Sequence, residues 1–139
     1  MSDTAAWRIT LPHSTAAVPM ARALVRTALA EAGAPADCDT AELLTAELVA
    51  NAVEHTGGAG RIELVVRLRA HGCEIEVHDG DPRPPGDLVR RPEAQVPDVW
   101  QEHGRGLLLL RTLSSACGHR ATATGKAVWF TLAARLAAV

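Results

Sequence analysis

Glu47 and Asn51 stand four residues apart in the segment ELVANAVEHT, whose composition is helical, so both side chains leave one face of one helix. A carboxylate and a carboxamide one turn apart supply oxygen ligands and a proton acceptor. Such a set suits a hydrated Mg²⁺ ion and the activation of a nucleophile beside a triphosphate. Taken alone, the pair more often means a plain polar helix face. Two further segments follow it. In VHDGD (77–81), Asp79 at a strand end and Gly80 behind it let the chain turn while the carboxylate projects beyond the sheet. A buried aspartate there can accept a hydrogen bond from the amino group of adenine, where guanine presents an acceptor instead. Asp-Gly is equally a common turn dipeptide. In HGRGLLLL (103–110), Gly104 and Gly106 precede an apolar helix, where backbone N–H groups can approach phosphate oxygens and Arg105 can meet a terminal phosphate. A flexible connector before a core helix fits the same residues. No GKS or GKT is present, and Gly125-Lys126 falls between two strand-like runs, which excludes a Walker loop.

The elements that must hold these residues are legible as patterns. Residues 7–11 are a short strand closed by Pro12, with Ser14 or Thr15 to cap a helix over 16–32 that stops at Gly33. Asp37-Cys38-Asp39-Thr40 offers caps for a second helix over 41–55, ended by Thr56-Gly57-Gly58-Ala59-Gly60. Residues 61–69 and 73–78 alternate apolar and polar around Ala70-His71-Gly72, the mark of a hairpin with one face on a core. From Gly80 to Gly104 five prolines and many charges replace any apolar period, which predicts a lid over 80–103. Residues 106–116 return to helix, and 119–124 and 126–132 close the chain as a hairpin turning at Gly125. The order β-α-α-β-β-loop-α-β-β predicts an α+β fold: a two-layer α/β sandwich with a mostly antiparallel sheet and helices on one face.

Composition narrows the function classes. The chain has 139 residues, room for one domain with its own core, and a formal charge of −2. With no basic excess, one Phe, three Trp and no Tyr, direct binding of nucleic acid is not expected. Three widely spaced cysteines without a CxxC pair argue against a zinc site or a disulfide framework, and the histidines lack ligand spacing. No apolar run reaches the roughly 20 residues that span a bilayer, and no signal-peptide pattern opens the chain, so no membrane partner and a cytoplasmic location are expected.

In this order within one chain, the three segments resemble the ATP-binding superfamily of gyrase, histidine kinases, the heat-shock chaperone ATPase and the mismatch-repair ATPases. Within it the chain is most similar to the small anti-sigma-factor serine/threonine kinases, in the compact form abundant in actinomycetes. The resemblance runs from Trp7 to the final hairpin: ELVANAVEH matches the N-box, VHDGD the first glycine box and GRGLLLL the second. It implies the Bergerat-type ATP-binding fold, with Asn51 as Mg²⁺ ligand and Glu47 as the base that activates the acceptor hydroxyl. Asp79 with Gly80 falls where adenine is read, and Gly104, Arg105, Gly106 and Leu107 fall on the phosphate-facing segment. His55, one turn beyond Asn51, is placed to approach the nucleotide, though a histidine at a helix end also serves as a cap. One departure stands out. The family's second glycine, two residues after the first, is missing here, where Gly80 runs into Asp81-Pro82-Arg83-Pro84-Pro85 and the prolines stiffen the lid's entrance.

The resemblance therefore implies an ATP- and Mg²⁺-dependent kinase that phosphorylates an anti-sigma factor antagonist, with a sigma factor as competing ligand and homodimerisation as a family habit. Arg83, Arg90 and Arg91 are candidate phosphate contacts, Trp100 a candidate docking residue in the lid, and Trp7 either core or a dimer contact. Three rivals remain: a nucleotide-binding switch with little turnover, a fold-only protein-binding domain, and the detached ATP-binding half of a histidine kinase.

Overall fold

The computed structural model describes residues 5–31, 37–55, 61–70, 72–83 and 102–133. The elements are β1 (Ala5–Leu11), α1 (Ala17–Glu31), α2 (Cys38–His55), β2 (Ile62–Arg69), β3 (Gly72–Asp79), α3 (Glu102–Leu113), β4 (Ala116–Ala121) and β5 (Lys126–Ala133). The expected order holds throughout. The glycine-rich stop at 56–60, the turn at His71, and residues 84–101 with Arg90, Arg91 and Trp100 lie outside the described residues.

α1 and α2 start where a side chain can serve their unpaired N–H groups. Ser14 Oγ accepts from the N–H of Ala16 at 3.2 Å ahead of α1. Asp37 caps α2, with Oδ1 accepting from the N–H of Thr40 at 3.2 Å and Oδ2 from its hydroxyl at 3.0 Å. This moves the start of α2 to Cys38, three residues before the expected one. Pro19 sits in the first turn of α1, where an intrahelical donor is not needed. Ala17, Ala21, Val25, Ala28 and Leu29 then bury one stripe of α1.

The strands form one antiparallel sheet in the order β1-β2-β3-β5-β4. Period-two alternation sorts its residues into two faces. Ile62, Leu64, Val66, Ile75, Val77 and Phe130 share one core with α1, α2 and Leu110 of α3, and Trp7 packs against it. The sequence-level choice for Trp7 thus resolves toward the core. The opposite face carries charges: Arg8 pairs with Glu63 at 2.7 Å, Arg69 with Glu74 at 2.7 Å, and Arg67 with Glu76 at 2.9 Å. Trp129 is half-buried on that face, and Phe130 is fully buried on the other, as alternation demands.

The C-terminal elements are shifted from expectation: α3 spans Glu102–Leu113 where 106–116 was expected, and β4 spans Ala116–Ala121 where 119–124 was expected. α3 begins at Glu102, so Gly104 and Gly106 belong to the helix instead of a loop before it. Each glycine costs a helix about 1 kcal/mol, which the packing of α3 on α2 and the burial of Leu110 offset. β4 begins at Ala116, three residues before the expected start, because its register against β5 is set by pairs such as Cys117 with Phe130. A poorly alternating segment is recruited to the sheet by its neighbour.

Candidate functional site

α2 is an unbroken helix from Cys38 to His55, so Glu47 and Asn51 do lie one turn apart on one face, about 6 Å along the axis. Both are half-buried, while Leu44, Leu48, Val49 and Ala52 anchor the helix in the core. His55 is exposed at the C-terminal end.

The carboxylate end of the site is built by β3 and β5. Asp79 ends β3 and Lys126 begins β5, paired in register. Both follow the inward rows of their strands, Asp79 behind Val77 and Lys126 ahead of Val128, and both are buried, at 5% and 6% exposure. Lys126 Nζ donates to Asp79 Oδ1 at 3.1 Å and to the carbonyl of Asp81 at 3.0 Å. The N–H of Asp81 donates to the same Oδ1 at 2.9 Å, closing the turn that Asp79-Gly80 predicts. Gly125 closes the other hairpin onto this turn: a Cβ placed there would lie 2.0 Å from the Asp79 carbonyl oxygen.

Beyond the turn, Arg83 is committed to protein partners. Its Nε lies 3.0 Å from both oxygens of Asp81, and its Nη2 reaches the carbonyl of His55 at 3.4 Å. The bond and charge of Arg83 hold the Asp81 carboxyl far below the usual carboxylate range. Arg83 thereby ties the end of β3 to the end of α2, where a cation meets helix carbonyls favourably. Its side chain is otherwise exposed, at 77%.

Backbone helix spans Gly104 to Leu107, so the N–H groups of the first turn, at residues 102–105, lack an intrahelical acceptor. The expectation had placed Gly104 and Gly106 ahead of the helix, whereas the N–H groups of Gly106 and Leu107 fall inside it, and the side chains of Arg105 and Leu107 lie outside the described residues. A cleft of about 450 Å³ brings Asp79 and Gly80 together with Arg61, Glu63, His78 and Thr124, without Glu47 or Asn51. Glu63 and His78 sit in the rows opposite to the core, so this cleft opens round the sheet's end on the helix-free side.

Among the described residues no three His, Cys, Asp or Glu side chains gather as a metal cage. One carboxamide oxygen from Asn51 fits Mg²⁺ better than such a cage would, since that ion keeps waters and takes its other ligands from substrate phosphates. The cysteines form no disulfide, and burial pushes the Cys73 thiol up to about 11. Sequence motifs exclude Lys126 from a Walker loop and give it no other role. Its signal was a lysine in the inward row Lys126, Val128, Phe130, Leu132, a position that demands a counter-ion.

Comparison with protein families matches residues 11–132 to the histidine kinase-like ATPase domain. Comparison with curated proteins gives no match.

Proposed function

Because the chain belongs to the histidine kinase-like ATPase domain family, we propose that it binds ATP with Mg²⁺ and acts as a serine/threonine kinase of the anti-sigma-factor type. The observation that carries the reading is Asp79: a buried carboxylate, oriented at the end of β3, in the same fold as a helix presenting Glu47 and Asn51 on one face. Adenine would be read by Asp79, and the phosphates would meet the first turn of α3. Asn51 would hold the Mg²⁺ ion, which supplies charge neutralisation across the phosphate oxygens. Glu47 takes the proton from a serine or threonine hydroxyl of the partner. That oxygen bonds to the γ-phosphorus as the bond to the β-phosphate bridge breaks, and ADP leaves with the electron pair. The partner would be an anti-sigma factor antagonist, with a sigma factor competing for the protein in the cytoplasm and a homodimer as the working unit.

A second reading keeps ATP binding and drops turnover. The clamp of Arg83 on Asp81 and on the His55 carbonyl favours it, since it fixes the chain where the lid begins. Transfer of labelled γ-phosphate to a candidate antagonist separates the two. The kinase reading expects Glu47→Gln to bind ATP as the wild type does while transfer falls by about 10²-fold or more. Transfer unchanged by the substitution would remove Glu47 as the base. Calorimetric titration of Asn51→Ala is expected to show at least about tenfold weaker Mg²⁺-ATP binding.

A further inference from the structure

Lys126 is the one described charged residue in the inward row of β5, and the proposed mechanism leaves it without a task. A lysine this deeply covered requires a partner, and β3 supplies one by register, because Asp79 lies directly across from it. The detail that matters is which oxygen is engaged. Lys126 Nζ and the N–H of Asp81 both donate to Oδ1, at 3.1 and 2.9 Å, and Oδ2 takes neither bond. An ammonium is a donor without acceptor capacity, so Oδ1 is held as an acceptor and turned toward β5 and the turn. The carboxylate plane is then settled by two bonds on one side, which leaves the other oxygen facing away from them.

We infer that Lys126 is a positioning residue for base selection: by committing Oδ1 of Asp79 it presents Oδ2 as an acceptor for an exocyclic amino group, so the site takes a 6-aminopurine and rejects a 6-oxopurine. This rests on the reading that Asp79 meets the nucleotide base. A 6-oxopurine places a carbonyl oxygen where Oδ2 needs a donor, and two facing acceptors at a buried position are unfavourable. With Lys126 gone, the carboxylate is free to turn, and its Oδ2 orientation is lost. A lysine serving only to staple β3 to β5 would support stability and leave selectivity alone.

The two roles separate in the ratio of affinities for ATP and ITP, measured by calorimetry on the full chain with Mg²⁺. The wild type is expected to prefer ATP by about 100-fold. Lys126→Met, which keeps length and removes the donor, is expected to bring the ratio within about threefold. Lys126→Gln, which keeps a donor, is expected to recover most of it. A folded Lys126→Met with the wild-type ratio overturns the inference, even if both affinities fall together. If Lys126→Met does not fold, Lys126→Ala, which leaves Asp79 in place and lets water replace the ammonium, is read instead, and the wild-type ratio retained in it overturns the inference equally. A wild type that binds ATP and ITP alike also overturns it while leaving nucleotide binding intact. A folded wild type that binds neither removes the nucleotide reading itself.

Discussion

At the scale of single residues, Glu76 shows how the helix-free face is held. It is 2% exposed and is met by Arg67 at 2.9 Å, Arg120 at 3.1 Å and His78 at 2.8 Å. Burial pushes its carboxyl up, but the bonds from Arg120 and His78 and the charges of Arg67 and Arg120 outweigh burial and hold it at about 2. A folded-state value below the ordinary 4.5 means that the unfolded chain takes up the proton first as pH falls. The stabilisation is therefore complete above about pH 5 and is lost as pH drops from there toward 2. Glu76→Gln is expected to cost about 2 kcal/mol at neutral pH, discounted for the exposure of both arginines, and the gap from wild type should close in acid. Urea titrations at several pH values check this; a gap independent of pH would place the effect in packing. None of this cluster was expected from sequence, where Glu74 and Glu76 are two alternating acids. Which of them gathers two arginines and a histidine depends on β3 lying between β2 and β5.

At the scale of elements, the β4–β5 turn and the β3 turn are pressed together. A methyl on Gly125 would stand 2.0 Å from the Asp79 carbonyl and 2.7 Å from two backbone atoms of Gly80, none of which can swing aside. Gly125→Ala is therefore expected to cost about 2 kcal/mol and lower Tm by about 5 °C, and to weaken ATP binding as Asp79 is displaced. Gly118→Ala makes a useful contrast, since its methyl would meet the Trp129 ring at 2.9 Å, a half-buried side chain on the open face with room to yield. Thermal melts of the two variants should rank Gly125→Ala as the more damaging. The start of α3 teaches the same lesson in reverse. Gly104 and Gly106 read locally as a loop, yet the helix runs through them, because Leu110 and the contact with α2 repay what glycine costs.

At the scale of the whole molecule, one core joins the sheet to the helical layer, with Phe130 fully buried where β5 lies between β3 and β4. Phe130→Ala is expected to destabilise by about 4 kcal/mol, and α2 with its Glu47 and Asn51 should lose order together with the sheet. Hydrogen exchange of α2 amides tests that coupling; protection of α2 surviving loss of the β5 amides would show two independent units. No described helix is long and apolar enough to cross a membrane. What the sequence determined by itself was the set of elements, their order, and three segments at meaningful spacing, because helical period, strand alternation and glycine punctuation are local properties. It placed Glu47 and Asn51 on one helix face, since four residues make about one turn in any helix. Only the tertiary structure decided that Lys126 meets Asp79, that Arg83 spends its donors on Asp81 and the end of α2, and that one oxygen of the key carboxylate is already taken. Lys126 and Asp79 stand 47 positions apart and Arg83 and His55 28, brought together by strand register and by how a helix end packs over a turn, and no local pattern encodes either.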